Sequence, residues 1–197
     1  MNIKRSDFIK LGSMTAVGAV AVPLLNSCAN ATSAVAACSG PGYDVEQRIK
    51  DLGLVFPAPP GNPNLLFHQI VVVGNMLYVS GQGPDLVGGG QITGKVGVDL
   101  TLEEGRNAAR QVALTMLSSI KANLGDLNKI CRLVKTLGMV NSAPDFYSSP
   151  AVINGFSQVM VDIWGEVNGR GARSSVGVAS LPSNIAVEIE CIFELKS

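Results

Sequence analysis

The segment that most constrains the fold lies at the end of the chain, where Val187, Ile189, Cys191, Phe193 and Leu195 alternate with Glu188, Glu190 and Glu194. A period of two is the signature of a β-strand with one buried face. Upstream, Arg173 opens a second strand-like run, Ser174 to Ser180, which stops at Leu181-Pro182. Joined there as an antiparallel pair, the two strands would bring Arg173 near the level of Glu188. A guanidinium that forks onto a carboxylate and a carboxylate that holds a water would then face one cleft. By spacing alone, a structural ion pair at a strand end is the commoner arrangement.

The preceding sequence supplies the rest of a layered fold. Asp44 with Gln47 forms a capping-box pattern for a short helix through Leu52, stopped by Gly53. A proline-rich run from Pro57 to Pro63 then forbids regular structure. Leu66–Val73 and Met76–Ser80 read as strands around a Gly74-Asn75 turn. Gly83 to Gly94 is glycine-rich and reads as a loop or short hairpin. Thr101 and Glu104 cap a long helix ending near Gly125, with Ala109, Val112, Ala113, Met116, Leu117, Ile120 and Leu124 as its apolar face.

Ile130–Val140 reads as a strand with Cys131, Leu133, Leu137 and Met139 on one face. A second helix spans about Pro150 to Glu166, with Val152, Phe156, Val159, Met160 and Ile163 repeating at three and four. The expectation is an α+β fold: a mixed β-sheet with two helices on one face. The other sheet face needs a cover from outside the chain.

Residues 1–27 read as a signal peptide: Lys4, Arg5 and Lys10 precede a short apolar run from Leu11 to Leu25. That run is too short for a comfortable membrane span. Leu25-Asn26-Ser27-Cys28 resembles a bacterial lipobox, which would make Cys28 the lipidated residue; Ala34-Val35-Ala36 and Val35-Ala36-Ala37 are alternative cleavage sites. Residues 28–42 read as a flexible tether and 43–197 as the folded domain. The expected location is therefore outside the cytoplasm, either periplasmic or held at the membrane as a lipoprotein.

Composition excludes several chemistries. Fifteen basic residues balance fifteen acidic ones, without the basic excess of a nucleic-acid binder. His68 is the only histidine, and no Cys-x-x-Cys motif occurs, so no zinc or other metal site is expected. Gly81-x-Gly83 lacks the third glycine and following helix of a dinucleotide site. Cys131 and Cys191 read as buried thiols, with a disulfide between them possible after export.

Arg173-Ser174-Ser175-Val176-Gly177-Val178-Ala179-Ser180-Leu181-Pro182 followed by Val187-Glu188-Ile189-Glu190 resembles the carboxy-terminal signature of the RidA/YjgF family of enamine/imine deaminases. Gly74-Asn75-Met76-Leu77-Tyr78-Val79-Ser80-Gly81-Gln82 resembles the family's Gly-Asn-x-hydrophobic-Ser-Gly-Gln segment. The resemblance implies a chorismate-mutase-like fold and a homotrimer with a cleft at each subunit interface. It implies hydrolysis of small 2-imino or 2-enamino acids to 2-keto acids and ammonia, without a cofactor.

It also implies roles for particular residues. Arg173 would clamp the substrate carboxylate, a task that needs the planar fork of arginine. Glu188, rather than its same-face neighbour Glu190, would position or deprotonate the attacking water, with the backbone carbonyl of Ser175. Ser80, Gly81 and Asn154 would line the substrate pocket with Phe67, which stands where deaminase members often carry tyrosine. The lost hydroxyl leaves a second reading open, in which the same pocket binds small carboxylates without turnover. The endoribonuclease activity ascribed to some members fits poorly with the balanced charge.

Overall fold

The computed structural model describes residues 38, 43–61 and 64–196, within one compact unit, Ala36–Ser197. The expected signal peptide, Cys28 and nearly all of the tether lie outside the described residues. Three helices, α1 (Val45–Asp51), α2 (Leu102–Leu124) and α3 (Ser149–Gly169), accompany five strands, β1 (Ile70–Val73), β2 (Met76–Gln82), β3 (Ile130–Asn141), β4 (Ala172–Val178) and β5 (Val187–Leu195). Among the described residues, two single 3-10 turns, Leu127–Lys129 and Pro182–Asn184, complete the set.

Local sequence explains most boundaries. Thr101 and Glu104 form the full reciprocal capping box at the start of α2. At α1 only half of the expected box forms. The Asp44 carboxylate accepts from the Gln47 backbone N–H, but the Gln47 side chain turns away to Asp51 Oδ1 at 2.8 Å. The first strand is shorter than expected, because Leu66 to Gln69 form bends rather than ladder. In α3, Gly165 takes φ +75° and breaks the helical path one turn before the end.

The sheet order is β1-β2-β5-β3-β4. All neighbours are antiparallel except β3 and β4, which run parallel. The α+β class with a mixed sheet is as expected, but β4 and β5 are not partners: β3 lies between them. The cause is α3. It leads from β3 to β4 as a crossover helix, and such a connection delivers the second strand parallel and adjacent to the first.

Helices α2 and α3 pack against each other and against the sheet. Leu77, Val79, Val140, Val187, Ile189, Cys191 and Phe193 from the strands join Val112, Met116, Ile120, Val152, Phe156 and Ile163 from the helices in one buried core. The face assignment within β3 needs correction. Register shifts between Ile130 and Arg132, and between Leu133 and Lys135, reverse the strand's phase. Thr136, Gly138 and Val140 are therefore buried with the helices, whereas Leu137 and Met139 are only half-buried on the opposite face.

Cys191 is the buried free thiol expected, but Cys131 is not. Cys131 is joined to Cys38, 93 residues earlier, and Cys191 remains a free buried thiol. The disulfide fastens the segment before α1 to the start of β3.

Candidate active site

Arg173 lies on edge strand β4, beside Thr136 of β3, which in turn lies beside Cys191 of β5. Thr136 and Cys191 are buried on the helix side, so Arg173 projects towards α3. One terminal guanidinium nitrogen, Nη1, donates to Asn154 Oδ1 at 2.9 Å and to Ser157 Oγ at 3.0 Å. The other, Nη2, donates to the carbonyl of Pro150 at 3.4 Å. All three acceptors are neutral. The fork is oriented by α3 while its charge is left without a carboxylate among the described ion pairs.

The resemblance brought Asn154 to this site, but sequence reasoning missed Ser157. The signal was available: residues three apart on a helix share a face. Ser175, two residues beyond Arg173, faces Gly138, and its hydroxyl is buried without a hydrogen-bond partner among the described residues. It opens on a neighbouring cavity, with Ser149, Pro150 and Phe146, not on that of Arg173.

Glu188 belongs to a second cluster. It sits beside Met139, and Met139 beside Val176, on the face away from the helices. Arg173 and Glu188 are thus on opposite faces of the sheet and three residues apart along β3, about 10 Å in strand rise. The single cleft expected from an antiparallel β4–β5 pair does not form within one chain, because β3 intervenes.

The Glu188 carboxylate rests on Gly81. A β-carbon at position 81 would fall 2.0 Å from Glu188 Oε1. The space comes from a bulge. Val79 opposes Cys191 and Gln82 opposes Ile189, so Ser80 and Gly81 together face Glu190 alone. Gln82 returns to the core and accepts from Ser119 of α2 at 3.1 Å.

Ser80 donates through its hydroxyl to the His68 carbonyl at 2.9 Å, while its backbone N–H donates to the Gln69 carbonyl. These bonds tie to β2 the segment that carries Phe67, whose ring is largely exposed. Glu188 is half-buried, and burial, with Glu190 nearby as a like charge, holds its carboxyl above the usual carboxylate range.

The expected residues therefore form two clusters. Arg173, Asn154 and Ser157 lie between β4 and α3, with Ser175 alongside. Glu188, Gly81 and Ser80 lie on the far face, with Phe67 bound in through its backbone neighbour. The first can orient a carboxylate by a two-pronged charged hydrogen bond. The second can hold a water and exchange a proton with it.

Comparison with known proteins agrees with this architecture. The model of the family described as "YjgF/chorismate_mutase-like, putative endoribonuclease" matches residues 50–195. Protein TCP17 of Trypanosoma cruzi is 41% identical over 153 residues, which cover 78% of this chain and 95% of that protein. A 2-iminobutanoate/2-iminopropanoate deaminase of Dermatophagoides farinae is 31% identical over 127 residues, covering 64% of this chain and 83% of the deaminase. The crystal structure of Atu1372, a protein of unknown function from Agrobacterium tumefaciens, superposes with a TM-score of 0.69 at 42% identity, covering 77% of this chain and 94% of that one.

Proposed function

The chain belongs to the YjgF/RidA-like family, and from that membership and the geometry above we propose that it hydrolyses small 2-imino acids to 2-keto acids and ammonia. The observation that carries the reading is the state of Arg173: a fork fixed by Asn154, Ser157 and Pro150, all neutral, with its charge left for a ligand carboxylate. Glu188 would hold the attacking water and take its proton. Its raised pKa suits a group that must cycle between charged and neutral forms.

Because the two clusters occupy opposite sheet faces, a complete site needs two copies, with Arg173 of one copy approaching Glu188 of the next. Edge strand β4 and the uncovered sheet face supply the surfaces, where Tyr78 and Val176 remain 43% and 42% exposed. The family resemblance implies three copies. We retain the export signal and a membrane tether at Cys28 as part of the proposal. The Cys38–Cys131 disulfide supports it, since such bonds persist mainly in oxidising compartments.

Freshly generated 2-iminopropanoate and 2-iminobutanoate test the reading directly. The expected result is ammonia release well above the spontaneous rate. Carboxylate binding without acceleration would favour the second reading, a carboxylate-binding protein, which the missing hydroxyl at Phe67 supports.

A further inference from the structure

Arg173 shares its groove with two more arginines. Arg106 of α2, Arg170 and Arg173 line one cavity of about 380 Å3 together with Asn154, Ser157 and a single carboxylate, Glu166. Its size is that of a small-molecule site, which is typically about 300–1,000 Å3. A monocarboxylate needs one guanidinium, so the other two require an account.

Their present partners differ. Arg170 is ion-paired with Glu166, one helical turn before it. Among the described residues Arg106 is ion-paired only with Glu103, at 3.9 Å, the longest of the ion pairs described, with both side chains well exposed. Such a pair is weak and readily exchanged. Arg106 is thus the less engaged cation.

Its position follows from a helix crossing. A β-carbon at Gly155 would fall 2.0 Å from the Arg106 carbonyl oxygen and 3.1 Å from Arg106 Cγ. Only a residue without a side chain lets the two helices touch there. The adjacent residue of α3, Asn154, is the one that receives Arg173. Two arginines, one from α2 and one from β4, therefore converge on neighbouring residues of one helix.

We propose that this groove selects acids carrying two negative groups, the first on Arg173 and the second on Arg106, so that the preferred substrates are 2-imino dicarboxylates. This rests on the deaminase reading of Arg173. The chemistry is unchanged. Water adds to the imine carbon, the C=N π pair goes to nitrogen, both water protons pass to that nitrogen, the C–N bond breaks as the oxygen lone pair forms C=O, and ammonia and a 2-keto dicarboxylate remain, with no oxidation or reduction.

The test compares succinate with propanoate in calorimetric titrations of the full-chain protein, and ammonia release from freshly generated 2-iminosuccinate and 2-iminopropanoate. Succinate should bind roughly ten- to a hundredfold more tightly, the scale of one added hydrogen bond to a charged group. The kcat/KM ratio should favour 2-iminosuccinate similarly. Arg106→Ala should bring both ratios towards one, and Arg106→Glu should invert them, whereas Arg110→Ala, exposed on the same helix but outside the cavity lining, should preserve them.

Turnover of both imines without preference would overturn the proposal and leave the deaminase reading intact. Arg106-dependent succinate selectivity without turnover would overturn the deaminase reading, and with it the substrate assignment, and leave only a groove that binds two negative groups. Equal sensitivity to Arg106 and Arg110 would overturn the assignment to Arg106. Failure to bind either acid would end both readings.

Discussion

Glu188 and Gly81 are in direct contact: the carboxylate of one occupies the space that any side chain on the other would need. The contact depends on the Ser80-Gly81 bulge, which sets a residue without a β-carbon beneath a half-buried acid. Gly81→Ala must therefore displace Glu188. It should keep carboxylate binding at Arg173 and lower kcat about a hundredfold, the usual penalty for misplacing a reacting group by about an ångström. Steady-state kinetics beside a ligand titration check this. Unchanged kcat would remove Glu188 from the reaction.

Arg173 should behave as a binding residue. Arg173→Ala should weaken carboxylate binding by roughly 30- to several thousand-fold, the cost of truncating one partner of a desolvated charged pair. Arg173→Lys should not restore it, because a point charge cannot reproduce a fork held from Asn154, Ser157 and Pro150. Titration of propanoate against each variant decides, and full affinity in Arg173→Ala would end the assignment.

Much of this fold is legible in the sequence where the signal is local. The alternation of β5, the Thr101–Glu104 capping box and the Gly74-Asn75 turn each depend on a few consecutive residues, and each is found as expected. The failures of strand order and cysteine pairing involve distance along the chain. Nothing local says that β3 separates β4 from β5, although the long helix between β3 and β4 implies a parallel crossover. The phase reversal in β3 comes from bulges that its apolar pattern does not mark. Cys38 lies 93 residues from its partner. At the candidate site the motifs point to particular residues, but their division between two sheet faces follows from strand order, which no motif carries.

Glu188 carries a further expectation, for both rate and stability. Glu188→Gln should keep ligand binding and lose turnover roughly 10²- to 10⁴-fold, the usual worth of general acid–base assistance. Glu190→Gln should remain near wild type. The raised pKa also has a sign in folding. A carboxyl that is harder to ionise when folded contributes stability present below its unfolded pKa and lost as pH rises through its folded pKa. Glu188→Gln should therefore raise the melting temperature at pH 7–8 relative to wild type, with the gain vanishing below about pH 4. Melting curves across that range test the sign, and a variant destabilised at pH 8 would contradict it.

The thiols give a chemical test of the pairing. Burial pushes the Cys191 thiol up to about 12, so it should not react with a thiol reagent in the native protein. Denatured without reductant, the domain lacking residues 1–37, and with them Cys28, should expose only Cys191; reduction should add Cys38 and Cys131. Loss of a link closing so long a loop should cost at most about 4–5 kcal/mol of stability in the chain-entropy account. Two reactive thiols in Cys38→Ser would agree with this pairing, and one would contradict it.

The separation of Arg173 and Glu188 onto opposite sheet faces predicts complementation between inactive proteins. A site assembled from two copies uses Arg173 of one and Glu188 of the other. Arg173→Ala and Glu188→Gln proteins should each be inactive alone. Unfolded together and refolded, they form mixed assemblies in which some interfaces join the intact Arg173 of one variant to the intact Glu188 of the other. In a cyclic trimer mixed at random, every mixed assembly contains one such interface, so about a quarter of wild-type activity should return. Light scattering on the same samples should give three chains per particle. A site formed within one chain would return no activity on mixing, whatever the assembly size.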